Sequence, residues 1–223
     1  MTSSIHPSLP ALTPTYPPNR PNASAEKPST QALIAHLNLQ PHIEGGYFVE
    51  TDRDTRRVAN PFIAQGDQTS ADTRAASTSI FYLLTEKSSL GAFHVNRGRT
   101  VHTLHKGRGR YVLIHEEGRV ETFIVGHDIL NGERLQWIVE GGVWKASFLL
   151  PDVNVDASED SGREGSGQGE ETGEGEGSEG LLISETVVPG FEYEDHAFMA
   201  EGVLEGLVGV ERAGEMRWMV RKT

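Results

Sequence analysis

The chain has 223 residues, no cysteine and a formal net charge of −12. Without thiols it has no disulfide, no thiolate nucleophile and no sulfur-rich metal site. The acidity is local: residues 152–180 hold ten acids and a single base, Arg163, so the remainder is nearly neutral and carries no electrostatic footprint for nucleic acid.

Residues 1–28 are rich in Pro, Ser, Thr and Asn and lack an apolar period, which predicts a disordered N-terminal segment. No apolar run there reaches signal-peptide length, and no stretch of the chain reaches membrane-spanning length, so the expected location is cytoplasmic. Asn22, Ala23 and Ser24 spell a glycosylation sequon, discounted for want of an export signal. A single domain is expected over 29–223, interrupted at 152–180 by a disordered insertion of Gly, Ser and Glu.

Ser29 to Leu39 predicts a short helix, with Ser29 or Thr30 as cap and Leu33, Ile34 and Leu37 at helical spacing. Pro41 ends it. In PHIEGGYFVET, Gly45 and Gly46 permit a sharp turn before alternating strand residues. Arg53 to Arg74 reads as a long loop. From Ser77 the pattern is all β: STSIFYLL, LGAFHV, RTVHTLH, RYVLIHE, RVETFIVG, LQWIV, VWKASFLL and, past the insertion, LLISETVV. Many short strands with glycine turns predict a sandwich or barrel. Glu201 to Thr223 mixes helix-like stretches with glycines and is ambiguous.

Gly91 to Gly107 is the stretch richest in chemistry. It holds His94, His102 and His105 within twelve residues. Strand parity puts His94, Asn96, Thr100 and His102 on one face and turns Thr103 and His105 away, with a turn at Arg97 to Arg99. His94 and His102 are the pair that could hold a metal, with Glu44, Glu50 or Gln136 brought near by folding. His94 with Glu44 would make a proton-transfer pair, with Tyr82 on the preceding strand as the opposing acid. The cluster Arg97, Arg99, Lys106, Arg108 and Arg110 reads as solvated surface rather than a phosphate site.

The blocks PHIEGGYF, STSIFYLL, LQWIV with its Gly–Gly turn and Trp144, and ETVVPGFEYED stand in an order that resembles the cupin-5 branch of the cupin superfamily. The resemblance implies an all-β, RmlC-like jelly-roll barrel whose interior holds a ligand or a metal, akin to the sugar-nucleotide 3,5-epimerases. It also implies a degraded metal motif. The cupin ligand positions fall on His94, Asn96 and Thr100, and Lys145 takes the place of the second motif's histidine. Asn and Thr oxygens are weak ligands for transition metals, and a protonated Lys is none. No cofactor is therefore expected.

The same frame makes Gln136 and Trp144 cavity liners, a tryptophan face and an amide suited to a sugar or planar aromatic ring. His94, Thr100, His102, Gln136 and Trp144 are expected to converge on one cavity. The expected partners are a small-molecule ligand and a second copy of the chain as a homodimer, with no nucleic acid and no membrane. The functions implied are an epimerase- or isomerase-like proton transfer, a non-catalytic ligand-binding cupin, or a metal-dependent oxygenase.

Overall fold

A computed structural model describes residues 12–63, 73–152 and 177–222. Helix α1 (Pro28–His36) begins one residue before the predicted helix and ends three residues short of its expected limit at Leu39. Strands β1 (Gln40–Pro41), β2 (Tyr47–Arg53), β3 (Arg57–Ala59), β4 (Thr73–Ala75), β5 (Thr78–Leu84), β6 (Leu90–Asn96) and β7 (Arg99–Lys106) follow. Then come β8 (Gly109–Ile114), β9 (Val120–Val125), β10 (Gln136–Val139), β11 (Trp144–Leu149), β12 (Leu181–Val188) and β13 (His196–Phe198). Helices α2 (Glu201–Val208) and α3 (Val210–Met216) close the chain, so the ambiguous C-terminal stretch is helical. The stretch expected as a long loop carries the β3–β4 pair at its two ends.

Two antiparallel sheets face each other in a jelly-roll arrangement. One runs β1-β2-β5-β12-β7-β10 and the other β13-β6-β11-β8-β9. Alternation along β11 shows how the sequence sorts the two faces. Trp144, Ala146 and Phe148 pack outward with Leu204, Met216 and Met219 of the C-terminal helical region, while Leu149 packs inward with Leu113, Phe123 and Leu181. The glycines of the C-terminal stretch do not prevent helix formation because Leu204, Ala213 and Met216 bury against that outer face. Helix α1 covers the other sheet through Ile34, packed with Leu39, Tyr47 and Leu83.

The N-terminal segment differs from expectation over 12–27. Leu12 is buried, and its carbonyl accepts from the Trp218 indole. Ser88 and Ser89 hydroxyls donate to carbonyls of Asn19, Tyr16 and Pro17. Composition missed this because a strap held by its backbone carbonyls needs no apolar period. Residues 1–11 lie outside the described residues. The acidic insertion joins β11 to β12; its ends meet where Asp152 N–H donates to Gly177 O at 3.2 Å, and residues 153–176 lie outside the described residues. No described helix is long and apolar enough to cross a membrane.

Glu26 fixes the strap. Its buried carboxylate accepts from Tyr47 Oη at 3.0 Å and Thr85 Oγ1 at 2.7 Å. Glu26→Ala strands both hydroxyls, and is expected to cost about 1–3 kcal/mol in urea unfolding. A loss under ~0.5 kcal/mol would mean that water reaches them.

Candidate functional site

An irregularity in β6 shapes the interior. Lys145 lies opposite His94 and Ser147 opposite Gly91, so the register advances three residues on β6 for two on β11. This is a β-bulge, which reverses parity beyond it. Both Gly91 and His94 thereby face inward, while Phe93 between them is buried in the outer core. Gly91 is required there: a Cβ would stand 2.8 Å from Tyr82 Oη and 2.9 Å from Ser147 Oγ.

Lys145 ties the two sheets together. From β11 its Nζ reaches the facing sheet, 2.7 Å from Glu185 Oε2 on β12 and 3.0 Å from His102 Nε2 on β7. Of its three N–H bonds those contacts use two. The side chain of His102 is 0 % exposed, so this ring stands behind Lys145 as a support; Glu185 keeps 11 %. The ring stacks on Trp137 at 5.1 Å. Burial disfavours charge on Glu185, but Lys145 and then His102 outweigh it and hold the carboxyl well below its ordinary range. Burial first, and the Lys145 charge second, push the His102 imidazole down.

These two shifts set a pH dependence. An imidazole lowered in the folded state stays neutral while the unfolded chain takes up a proton, so stability falls as pH drops below about 6.5. The Glu185 contribution is complete above the unfolded carboxyl value and is lost only as pH falls below about 4.5. Between pH 6.5 and 5, His102→Phe is expected to flatten the slope of unfolding free energy against pH. An unchanged slope would mean that His102 titrates alike in both states.

Beside this group lies a second. Glu44 sits in the turn between β1 and β2, where Gly45 has φ 109° and a Cβ would fall 2.0 Å from Leu90 O. That close approach lets Glu44 O accept from Ala92 N–H at 2.8 Å and brings the carboxylate to the interior. Glu44 Oε1 is 2.9 Å from His196 Nε2 and 3.4 Å from His94 Nε2. The two rings stack at 5.2 Å, and His94 Nδ1 lies 2.9 Å from Ala92 O. Burial first, with Lys145 adding to it against Glu44, pushes His94 down to about 4, so it is neutral near pH 7. Burial also disfavours charge on Glu44, but the surrounding His94 and His42, the His196 hydrogen bond and Lys145 outweigh it and keep the carboxyl ionised. Glu44, His94 and His196 are the described residues grouped so that they could hold a metal.

The structure sorts the sequence-predicted residues. His94, Glu44 and His102 come to the interior, and Thr100 is buried on the same face of β7 one pleat from His102. Gln136 does not: it is exposed, and its amide donates to Thr103 Oγ1 at 3.3 Å on the outer face. The inward residue of that pair is Trp137. Trp144 also faces out, because the alternation that aims Lys145 inward turns its neighbour toward the outer core. Tyr82 is interior, but its hydroxyl is committed to Gly45 O at 2.8 Å, which removes it as a free opposing acid. His94 and His102 do not form a pair; Lys145 hydrogen-bonds His102, and the groups beside His94 are Glu44 and His196. The basic cluster disperses: Arg99 pairs with Glu140, Lys106 with Glu179 and Arg108 with Glu133, while Arg110 is buried and donates to Thr122.

His196, Glu185 and Lys145 are the members that sequence reasoning did not choose. Parity in LLISETVV signals Glu185, placed inward between Ile183 and Val187. His196 carried no signal, being on a three-residue strand after a turn.

Facing jelly-roll sheets are an architecture that cupins share with other all-β proteins; the chain belongs to the family described as Cupin superfamily (DUF985), whose model matches residues 31–199. It is 44 % identical over 198 residues to the uncharacterized protein YML079W of Saccharomyces cerevisiae, covering 87 % of this chain and 88 % of that one. Among solved structures, a hypothetical protein from Leishmania major is similar, with 26 % identity, a TM-score of 0.61 and coverage of 86 % of this chain and 98 % of that one. Protein SO0799 from Shewanella oneidensis shares the fold, with 21 % identity, a TM-score of 0.62 and the same coverage.

Proposed function

We propose that the barrel interior binds a small carbonyl-bearing polar metabolite and moves a proton at the carbon next to the carbonyl, an isomerase-like reaction. The observation that carries this reading is the Lys145–Glu185 contact at 2.7 Å between the two sheets. An ammonium and a carboxylate side by side are what enolisation needs. Glu185 takes the proton from carbon, the substrate's electron pair moves onto its oxygen, and the third N–H of Lys145 stabilises that oxygen. In a 2-hydroxy carbonyl substrate the same carboxyl then returns that proton to the former carbonyl carbon, while the adjacent hydroxyl gives its proton to the enolate oxygen and becomes the new carbonyl, so the double bond to oxygen moves by one carbon with no proton gained or lost. One base acting on one face favours isomerisation over two-base epimerisation, because the Tyr82 hydroxyl is spent on Gly45 O.

The low Glu185 pKa favours a second reading, a non-catalytic ligand-binding cupin, since it weakens the base. Both readings require Lys145 to hold the ligand oxygen. Small 2-oxo acids, 2-hydroxy ketones and keto sugars serve as probes in thermal unfolding. At least one is expected to raise the melting temperature of the wild type and to lose that effect in Lys145→Gln. Stabilisation of neither protein, or of both equally, would refute the Lys145 site.

A further inference from the structure

We infer that the cleft between the N-terminal strap and the residues after α3 binds a small organic anion, a carboxylate or phosphate monoester carried on an apolar or aromatic body. This site is separate from the Lys145–Glu185 reading and does not depend on it.

The cleft is built from the two ends of the chain. Pro18 to Pro21 of the strap line it together with Trp218, Val220, Arg221 and Lys222, and the β1–β2 turn and the start of β6 complete it. Its volume is about 410 Å³, within the range of sites that take small metabolites. Two of its lining residues, Leu90 and Ala92, belong to the outer core, and neither Lys145 nor Glu185 lines it. It is therefore not the space between the sheets. Both terminal segments are held in place: Asn19 O accepts from the Ser88 hydroxyl and Leu12 O from the Trp218 indole, each at 2.9 Å. Walls already held lose little ordering entropy when a ligand enters.

Charge defines one half of the occupant. Arg20, Arg221 and Lys222 bring three cations to one concavity in a chain of net charge −12. None of the three has a carboxylate partner among the described residues, whereas Arg53, Arg99, Arg108 and Arg217 each have one. A concave site lined by one sign of charge attracts the opposite ion. Arg221 lies with Cζ 4.3 Å over the Phe198 ring. That stacking occupies the face of the guanidinium and leaves its N–H edge for a two-point grip on a carboxylate or phosphate. The acid that lines the cleft, Glu44, is engaged elsewhere, with Oε1 2.9 Å from His196 Nε2 and Oε2 3.6 Å from His42 Nδ1.

The apolar lining defines the other half. Ile43 is 49 % exposed in the cleft, and Trp218 is only partly buried. Inorganic phosphate would satisfy the cations and leave both side chains wet. An anion with an apolar body covers them as well, which is the more favourable state.

Isothermal titration calorimetry of the full chain tests the site, with phenylacetate and phenyl phosphate as the anions. Phenylacetamide serves as the uncharged counterpart and inorganic phosphate as the bare head group. At least one of the two aromatic anions is expected to saturate at one per chain and to bind more weakly as salt rises, and the tighter of the two identifies the head group. The amide and inorganic phosphate are expected to bind at least about 10-fold more weakly. Arg20→Gln with Lys222→Gln should also cost about 10-fold or more. Arg57→Gln with Arg119→Gln removes the same charge from exposed positions elsewhere and should change nothing. Arg20 and Lys222 are exposed and have no hydrogen-bond partner among the described residues, so their replacement spares the fold. The amide comparison and the salt dependence are read on the wild type in any case. No saturable binding of either aromatic anion, an amide or inorganic phosphate that binds as tightly, or equal affinity in the two double variants would overturn the site. None of the probes carries a ketone, so these outcomes do not bear on Lys145 and Glu185, which are tested by ligand stabilisation and proton exchange.

Discussion

Replacing Lys145 with methionine is expected to lower the unfolding free energy by about 3–5 kcal/mol. The substitution preserves much of the side-chain length but removes the ammonium from between Glu185 and His102, leaving the Glu185 carboxylate buried without its cation. The cost is that of an uncompensated buried charge rather than the worth of the ion pair. The double variant Lys145→Met with Glu185→Leu is therefore expected to recover most of the loss, since an apolar pair avoids both desolvation penalties. Urea unfolding of the two variants decides it. A double variant no more stable than the single one would mean that Lys145 acts through packing alone.

Arg74→Met is the second large effect, also about 3–5 kcal/mol. Arg74 and Asp195 are 4 % and 6 % exposed, and the guanidinium spans Gly190 O and the carboxylate while lying 4.7 Å over the Phe62 ring. Removing it strands Asp195, whose carbonyl holds the Arg97 amide and whose successor is His196. Urea unfolding checks it, and a loss under ~1 kcal/mol would mean that water reaches the Asp195 carboxylate in place of the guanidinium.

The sequence carried the fold because alternation sorts it. In VWKASFLL the outer face takes Trp144, Ala146 and Phe148, and in LLISETVV the inner face takes Leu181, Ile183 and Val187 around Glu185, so the two faces follow from a period of two. Alternation also contained the inward aim of Lys145 and Glu185, once each is read as the polar member of an apolar face. The site was less legible where parity breaks. The bulge in β6 turns both Gly91 and His94 inward, and no local pattern announces an extra residue in a strand. Assigning Gln136 rather than Trp137 to the interior was a one-residue error in register, which exchanges the two faces of a strand. His196 comes to Glu44 from 152 residues away, a pairing that only the closed fold creates.

Solvent exchange tests the central claim most directly. The protein is incubated in D₂O with the panel of 2-oxo acids, 2-hydroxy ketones and keto sugars, and ¹H NMR follows the hydrogen next to each carbonyl. The account predicts enzyme-dependent deuterium incorporation into at least one of them, abolished in Glu185→Gln that remains folded by circular dichroism. Exchange that persists in Glu185→Gln, or no exchange with any member of the panel, would contradict proton transfer by this carboxylate.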